Sequence, residues 1–166
     1  MAAMDELDYQ SRVKECLHSL YRVAYSILLN EQDGADAVQE AIFQGWIKRR
    51  QLRDPQLFKP WLTRIVVNEC RDLQRRSMKQ LRVVQAVANE IRLRPDAGRE
   101  MQRRDEIEAA LAELPEKYRL PIVLYYMEGY PTNMIAKMLN IPEGRLRERM
   151  RVARKRMGKV LDHEME

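Results

Sequence analysis

Cysteine, histidine and glycine are scarce in this 166-residue chain, and each scarcity removes a class of function. The two cysteines, Cys16 and Cys70, stand at apolar positions of helical patterns. They read as buried thiols rather than as a disulfide or a metal pair, and such usage suits a reducing cytoplasm. The two histidines, His18 and His163, are too far apart and too differently placed to suggest a metal or an acid–base site; His18 reads as a helix-surface residue. Glycines number six, there is no Gly-rich phosphate loop and no nucleophile motif, so no catalytic residue, metal or cofactor is expected. No apolar run reaches the ~18 residues a membrane span needs, and no signal peptide precedes Asp5. A soluble, cytoplasmic protein with no membrane insertion of its own is therefore expected. Aromatic residues make up 7% of the chain. With β-branched runs short as well, the composition leans all-α.

What the chain has is charge and helical periodicity. A length of 166 residues at 45% hydrophobic suits one domain or two small ones, each with a modest core. A net charge of +5 and a pI near 9.3 favour polyanionic partners, although a charged fraction of 33% would also suit an ordinary solvated helical protein.

Two helical blocks and a linker organise the sequence, with expected boundaries at 8–79, 80–104 and 105–162. Residues 8–29 place Val13, Cys16, Leu17, Leu20, Ala24, Ile27 and Leu28 on one face. A break at 30–34 precedes a second helix, about 35–50, with Val38, Ala41, Ile42 and Gly45 inward and Asp33 or a neighbour as cap. After the turn signal Asp54-Pro55, a third helix over 58–79 turns Leu62, Ile65, Val66, Cys70 and Leu73 to the core. Residues 80–104 lose this regularity and read as a linker with some helix within 81–91. The pattern returns with Ile107 to Leu114, a break at Pro115, and a helix from Tyr118 to Glu128.

Residues 131–161 then read as a helix-turn-helix. Ile135, Ala136 and Leu139 belong to the core. Asn140 stands where the chain must reverse, a position that favours a residue tolerant of left-handed backbone. In the following helix Leu146, Met150, Ala153, Met157 and Val160 face inward, leaving Arg147, Glu148, Arg151 and Lys155 outward. Such a second helix fits the DNA major groove. Arginine matches guanine bidentately and glutamate accepts from cytosine. Arg147, Glu148 and Arg151 are thus expected at base edges of a G/C-containing element, Lys155 and Lys159 at phosphates, and Arg145 at the margin of the face.

Two further faces carry charge. On the third helix Arg64, Asn68, Arg71 and Arg75 follow an i, i+4, i+7, i+11 spacing, with Trp61 and Asp72 at the edge. Phosphate contacts, an amide for base edges and an indole for stacking come together there; Trp61 reads equally well as core. The second helix opens with Glu31, Asp33, Asp36, Gln39 and Glu40, which suit solvent or a basic protein partner, and from charge alone solvent is the plainer reading.

The stretches GADAVQEAIFQGW, FKPWLTRIVVNECRDLQRR and LAELPEKYRLPIVLYYMEGYPTNMIAKMLNIPEGRLRERMRVARKRM closely resemble regions 2 and 4 of bacterial RNA polymerase sigma factors of the sigma-70 family. The short layout resembles the extracytoplasmic-function type. The resemblance covers about 10–78 and 106–161. It implies an all-α protein of two small helical domains, a three-helix region 2 and a helix-turn-helix region 4, that confers promoter-specific initiation on core RNA polymerase. It also implies docking of Asp36, Gln39 and Glu40 on the polymerase β′ coiled coil. Capture of a flipped −10 base would fall to the loop of Leu52, Arg53 and Asp54, and contact with the melted strand to Asn68 and Asp72. The C-terminal block would read the −35 element and pack on the β-flap. An anti-sigma factor is an expected partner. Melting requires no cofactor, because extruding a base costs only a few kcal/mol.

Departures from the family pattern bear on −35 preference. Asn140 replaces a frequent Gly at the bend, and Gly144-Arg145-Leu146-Arg147-Glu148-Arg149 stands where G-T-V-K-S-R is common. Pro131 replaces a frequent Ser, leaving Thr132 as a candidate cap. The competing readings are a stand-alone helix-turn-helix regulator acting as a dimer, and an interaction protein that uses only its acidic helix. A repressor has no need of an acidic docking helix followed by a Trp-Asn-Arg face, which favours the sigma factor.

Overall fold

A computed structural model describes residues 4–87 and 106–158. The expected linker, apart from its first residues, lies outside that set, as do Lys159, Val160 and His163.

Helix α1 (Glu6–Leu28) starts where the Asp5 carboxylate accepts from the Asp8 amide at 2.8 Å. It buries Tyr9, Val13, Cys16, Leu20, Val23, Ala24 and Ile27, a stripe of helical period. Leu29 closes it in the left-handed region, with φ of 51°. Helix α2 (Glu31–Lys48) begins at once, because the Asn30 side chain accepts from the Asp33 amide at 2.9 Å. The expected five-residue break therefore shrinks to Leu29 and Asn30. One left-handed residue followed by one N-cap suffices to reverse the chain.

A 3₁₀ turn (Arg49–Gln51), a short loop, and a second such turn (Pro55–Leu57) lead into α3 (Phe58–Val87). Asp54 holds that second turn by accepting from the Gln56 amide at 2.9 Å. Helix α3 continues past residue 79, so the first part of the expected linker extends the helix. Its Leu62, Val66, Val67 and Cys70 are buried among α1 and α2. Burial raises the Cys16 thiol and pushes that of Cys70 up to about 12, so both are unreactive at neutral pH.

Gly45 sits at the tightest approach. A Cβ there would meet the Tyr9 hydroxyl at 2.5 Å and Leu62 Cδ1 at 2.8 Å. Tyr9 cannot yield, since its hydroxyl donates to the Ile42 carbonyl at 2.6 Å and its ring stands edge-on to Trp46 and Phe58. Gly45→Ala should therefore destabilise the fold by about 1–3 kcal/mol through overpacking, although alanine is the better helix former. Thermal unfolding of the variant checks this; an unchanged or raised midpoint would show that the contact relaxes without cost.

The second half comprises α4 (Glu106–Glu113), α5 (Glu116–Ile122), a π turn (Val123–Met127), α6 (Thr132–Leu139) and α7 (Glu143–Met157). The helix expected over 118–128 changes register midway. Pro121 lacks an amide and crowds the preceding turn. The chain continues with wider steps, and the Glu128 amide reaches back to the Val123 carbonyl at 3.1 Å. Helices α6 and α7 form the helix-turn-helix. Asn140 adopts φ 54° and ψ 49°, and the Ile141 amide bonds the Ala136 carbonyl at 3.0 Å. Thr132 does not cap α6, because Pro131 takes the cap position and makes no side-chain bond there. Leu111, Leu114, Ile122, Val123, Ala153 and Met157 make a small cluster. Leu120, Leu124, Tyr130, Ile135, Leu139, Leu146 and Met150 instead join the main core with α1 to α3, so the cores of the two halves merge. None of the described helices is long and apolar enough to cross a membrane.

Candidate polymerase and promoter interfaces

Asp36, Gln39 and Glu40 are all exposed on α2. At ~100° per residue, Asp36, Glu40, Phe43 and Ile47 share one stripe. Phe43 is 56% and Ile47 54% exposed, among the most exposed large apolar side chains described. Asp36 accepts from Gln32 at 3.3 Å and Glu40 from Gln44 at 2.9 Å, and neither is paired with a cation among the described residues. A stripe acidic at one end and apolar at the other is suited to a partner helix with a basic margin. Sequence reasoning named only its acidic half. Phe43 and Ile47 were legible as apolar residues in register with Asp36 and out of register with Val38 and Ala41.

On α3, Arg64, Asn68 and Arg75 are exposed, Arg71 and Asp72 are partly buried, and Asp72 accepts a hydrogen bond from Arg75. Glu69 lies beside Asn68. Burial, then repulsion from Glu40 and Asp72, raises its carboxyl above the usual range. Trp61 is half-buried, its ring 5.9 Å from that of Phe58 and its edge above Gly45, so much of the indole serves the core. In the loop ahead of α3, Arg53 and Asp54 are exposed while Leu52 anchors to the core. The Arg12 guanidinium braces this segment by donating to the Pro55 carbonyl at 3.2 Å.

On α7, Leu146, Met150, Ala153 and Met157 are buried and Arg145, Arg147, Glu148, Arg151 and Lys155 exposed, the division the periodicity requires. Arg147 pairs with Glu143 at 3.2 Å, and Arg151 with Glu148 at 2.6 Å. The second pair lowers the glutamate's pKa and raises the arginine's, through the hydrogen bond between them. These pairs lie on open surface, where they are weak enough for a nucleic acid to replace. Arg154, exposed two turns on from Arg147, donates to the Tyr126 hydroxyl at 2.9 Å.

Comparison with known families decides what these surfaces belong to. A sigma-70 region 2 model matches residues 12–80, and a sigma-70 region 4 model matches residues 104–157. The extracytoplasmic-function RNA polymerase sigma factor SigM of Mycobacterium tuberculosis is 30% identical over 148 residues, spanning 87% of this chain and 72% of that protein. The chain belongs to the sigma-70 family of RNA polymerase sigma factors. Its similarity also reaches a longer protein described as a probable RNA polymerase sigma factor, RfaY of Xanthomonas campestris pv. campestris. That match is 29% over 153 residues, and the chain spans 38% of that protein's length. Among solved structures, the sigma factor RpoE of Bartonella quintana in complex with the anti-sigma factor NepR superposes with a TM-score of 0.74. The two share 22% identity, with 93% of this chain and 97% of that one covered, a likeness of fold. This sigma factor is therefore a promoter-specific initiation factor, and the stand-alone regulator is disfavoured. Its two halves bring the acidic stripe and the α3 face onto region 2 and the recognition helix onto region 4.

Proposed function

We propose that this sigma factor docks on core RNA polymerase through the α2 stripe of Asp36, Gln39, Glu40, Phe43 and Ile47. It then takes a −10 base and the melted strand with Leu52, Arg53, Asp54 and the α3 face of Arg64, Asn68, Arg71, Asp72 and Arg75. Trp61 supports that face from beneath. The recognition helix reads the −35 element, region 4 rests on the β-flap, and the protein works in the cytoplasm without catalytic chemistry of its own. An anti-sigma factor holds it inactive, as the NepR-bound relative suggests. The observation that supports the reading is that one chain matching both regions carries an exposed acidic stripe on α2, without an ion pair among the described residues, and exposed basic faces on α3 and α7. In vitro transcription from the promoter of its own operon, with core polymerase and with or without this protein, tests it. Transcripts that start at the same site and level in both reactions would refute it.

The recognition helix yields a sharper expectation. Arg147→Ala should relax preference at one or two −35 positions, by roughly 1–3 kcal/mol each. Lys155→Ala, further along the groove, should weaken all sequences about equally. Selection from a randomised −35 library with each variant distinguishes the two. A motif altered by the Lys155 change and untouched by the Arg147 change would reverse the orientation of the helix in the groove.

A further inference from the structure

The recognition helix carries its own restraint on the arginines that face DNA. Helix α7 is dense in arginine, and its only acids are Glu143 and Glu148. Phosphates attract any arginine free to swing towards them, and that attraction is the part of binding that ignores sequence. The two acids meet their arginines differently. Glu143 stands in the first turn of α7, where the helix dipole favours a carboxylate, and it takes one contact from Arg147, Nη2 to Oε2 at 3.2 Å. Glu148 engages Arg151 with both oxygens: Nε donates to Oε2 at 3.0 Å and Nη2 to Oε1 at 2.6 Å. Two-point geometry of this kind is the case in which an exposed pair holds its shape. Buried Leu146 and Met150 fix the helix that carries both residues, so the pair rests on a rigid spacing of i to i+3.

Nε and Nη2 form the side edge of the guanidinium, so Glu148 leaves the end edge, made by the outer hydrogens of Nη1 and Nη2, to another partner. That edge keeps the parallel donors that guanine O6 and N7 accept together. A cytosine amine, by contrast, would have to share carboxylate oxygens that Arg151 already engages. Resting on the −35 reading above, we propose that Glu148 is a positioning residue for Arg151, holding the side edge of its guanidinium, presenting the end edge to a guanine and keeping the arginine off phosphates. On a guanine the pair is kept, and Arg151 arrives with its geometry set. A phosphate bound at the same edge brings its charge close to the carboxylate, and one bound elsewhere requires Arg151 to leave the pair. Glu148 therefore favours one class of DNA contact and penalises the other, without touching a base itself.

Holoenzyme reconstituted from core polymerase and the full chain tests this, by selection from a randomised −35 library and by affinity for promoter fragments with the selected or a scrambled −35 segment. Glu148→Ala removes the clamp from an exposed helix position that alanine suits, so the fold is kept. It should cut the preference for guanine about fivefold, at the same position that Arg151→Ala relaxes. Affinity for the scrambled fragment should instead rise about twofold or more, with a salt slope steeper by about 0.9 for the phosphate gained. In an Arg151→Ala background, Glu148→Ala should cause no further loss at that position. Three results would overturn the proposal: a changed cytosine at a separate position, which makes Glu148 a direct reader; equal shifts on selected and scrambled fragments; or the same loss of guanine from Glu143→Ala, which makes the effect one of charge alone. A wild-type holoenzyme that selects no −35 motif would instead refute the promoter reading, and the positioning role with it.

Discussion

Reversing the charge of Asp36 and Glu40 together should weaken binding to core RNA polymerase by about 2–5 kcal/mol if their partners are buried on docking, and by less at a rim. The neighbouring Phe43 and Ile47 favour the larger figure. Both are more than half exposed in the free chain, and covering them would exclude water from the acids beside them. The fold should survive, because Asp36 and Glu40 are exposed and, among the described residues, hold the side-chain amides of Gln32 and Gln44. Affinity for core polymerase and circular dichroism of the double variant, measured side by side, check both halves of the expectation. Unchanged affinity would remove the stripe from the docking surface, and a lost helical signal would mean the substitution tested stability instead.

The second large effect is expected at Asn68. Asn68→Ala should impair open-complex formation about tenfold or more, since a lost base contact typically costs about 1–3 kcal/mol. Arg71→Ala and Arg75→Ala should act differently, lowering overall affinity and flattening its dependence on salt by roughly 0.7 in log–log slope per lost single-strand phosphate contact. Arg75 is the simpler case, being exposed and bonded to Asp72; Arg71 is partly buried, so its removal also disturbs packing. Permanganate reactivity of promoter thymines, read across a salt series, separates melting from affinity. An Asn68 variant that melts the promoter as fully as the wild type would end the assignment.

Much of this was legible before any coordinates, and the reasons are local. Leu146, Met150, Ala153 and Met157 recur at helical spacing, so their burial followed from periodicity, and with it the exposure of Arg147, Glu148, Arg151 and Lys155. Asn140 was readable for a similar reason, since few residues accept the left-handed backbone that a tight helix reversal imposes. Helix margins were less legible. Whether residues 30–34 formed a loop or the first turn of α2 depended on a single hydrogen bond from the Asp33 amide to the Asn30 side chain, and several nearby polar residues could have accepted it.

The sequence by itself determined the all-α class, the composition of each apolar face, the positions of the charged surfaces and the two family regions, because helical period and motif spacing are properties of neighbouring residues. Only the tertiary structure decided that Phe43 and Ile47 remain uncovered, that Gly45 is demanded by the Tyr9 hydroxyl, and that region 4 leans on region 2. Glu128 and Arg119 show why. In the sequence they are ordinary charged residues of a basic chain, 109 positions from Ser19 and 93 from Ser26 respectively. Their contacts to Ser19 and Ser26 arise from the π turn after Pro121 and the packing of α5 on α1, and a contact between residues so distant leaves no periodic trace in the chain that makes it.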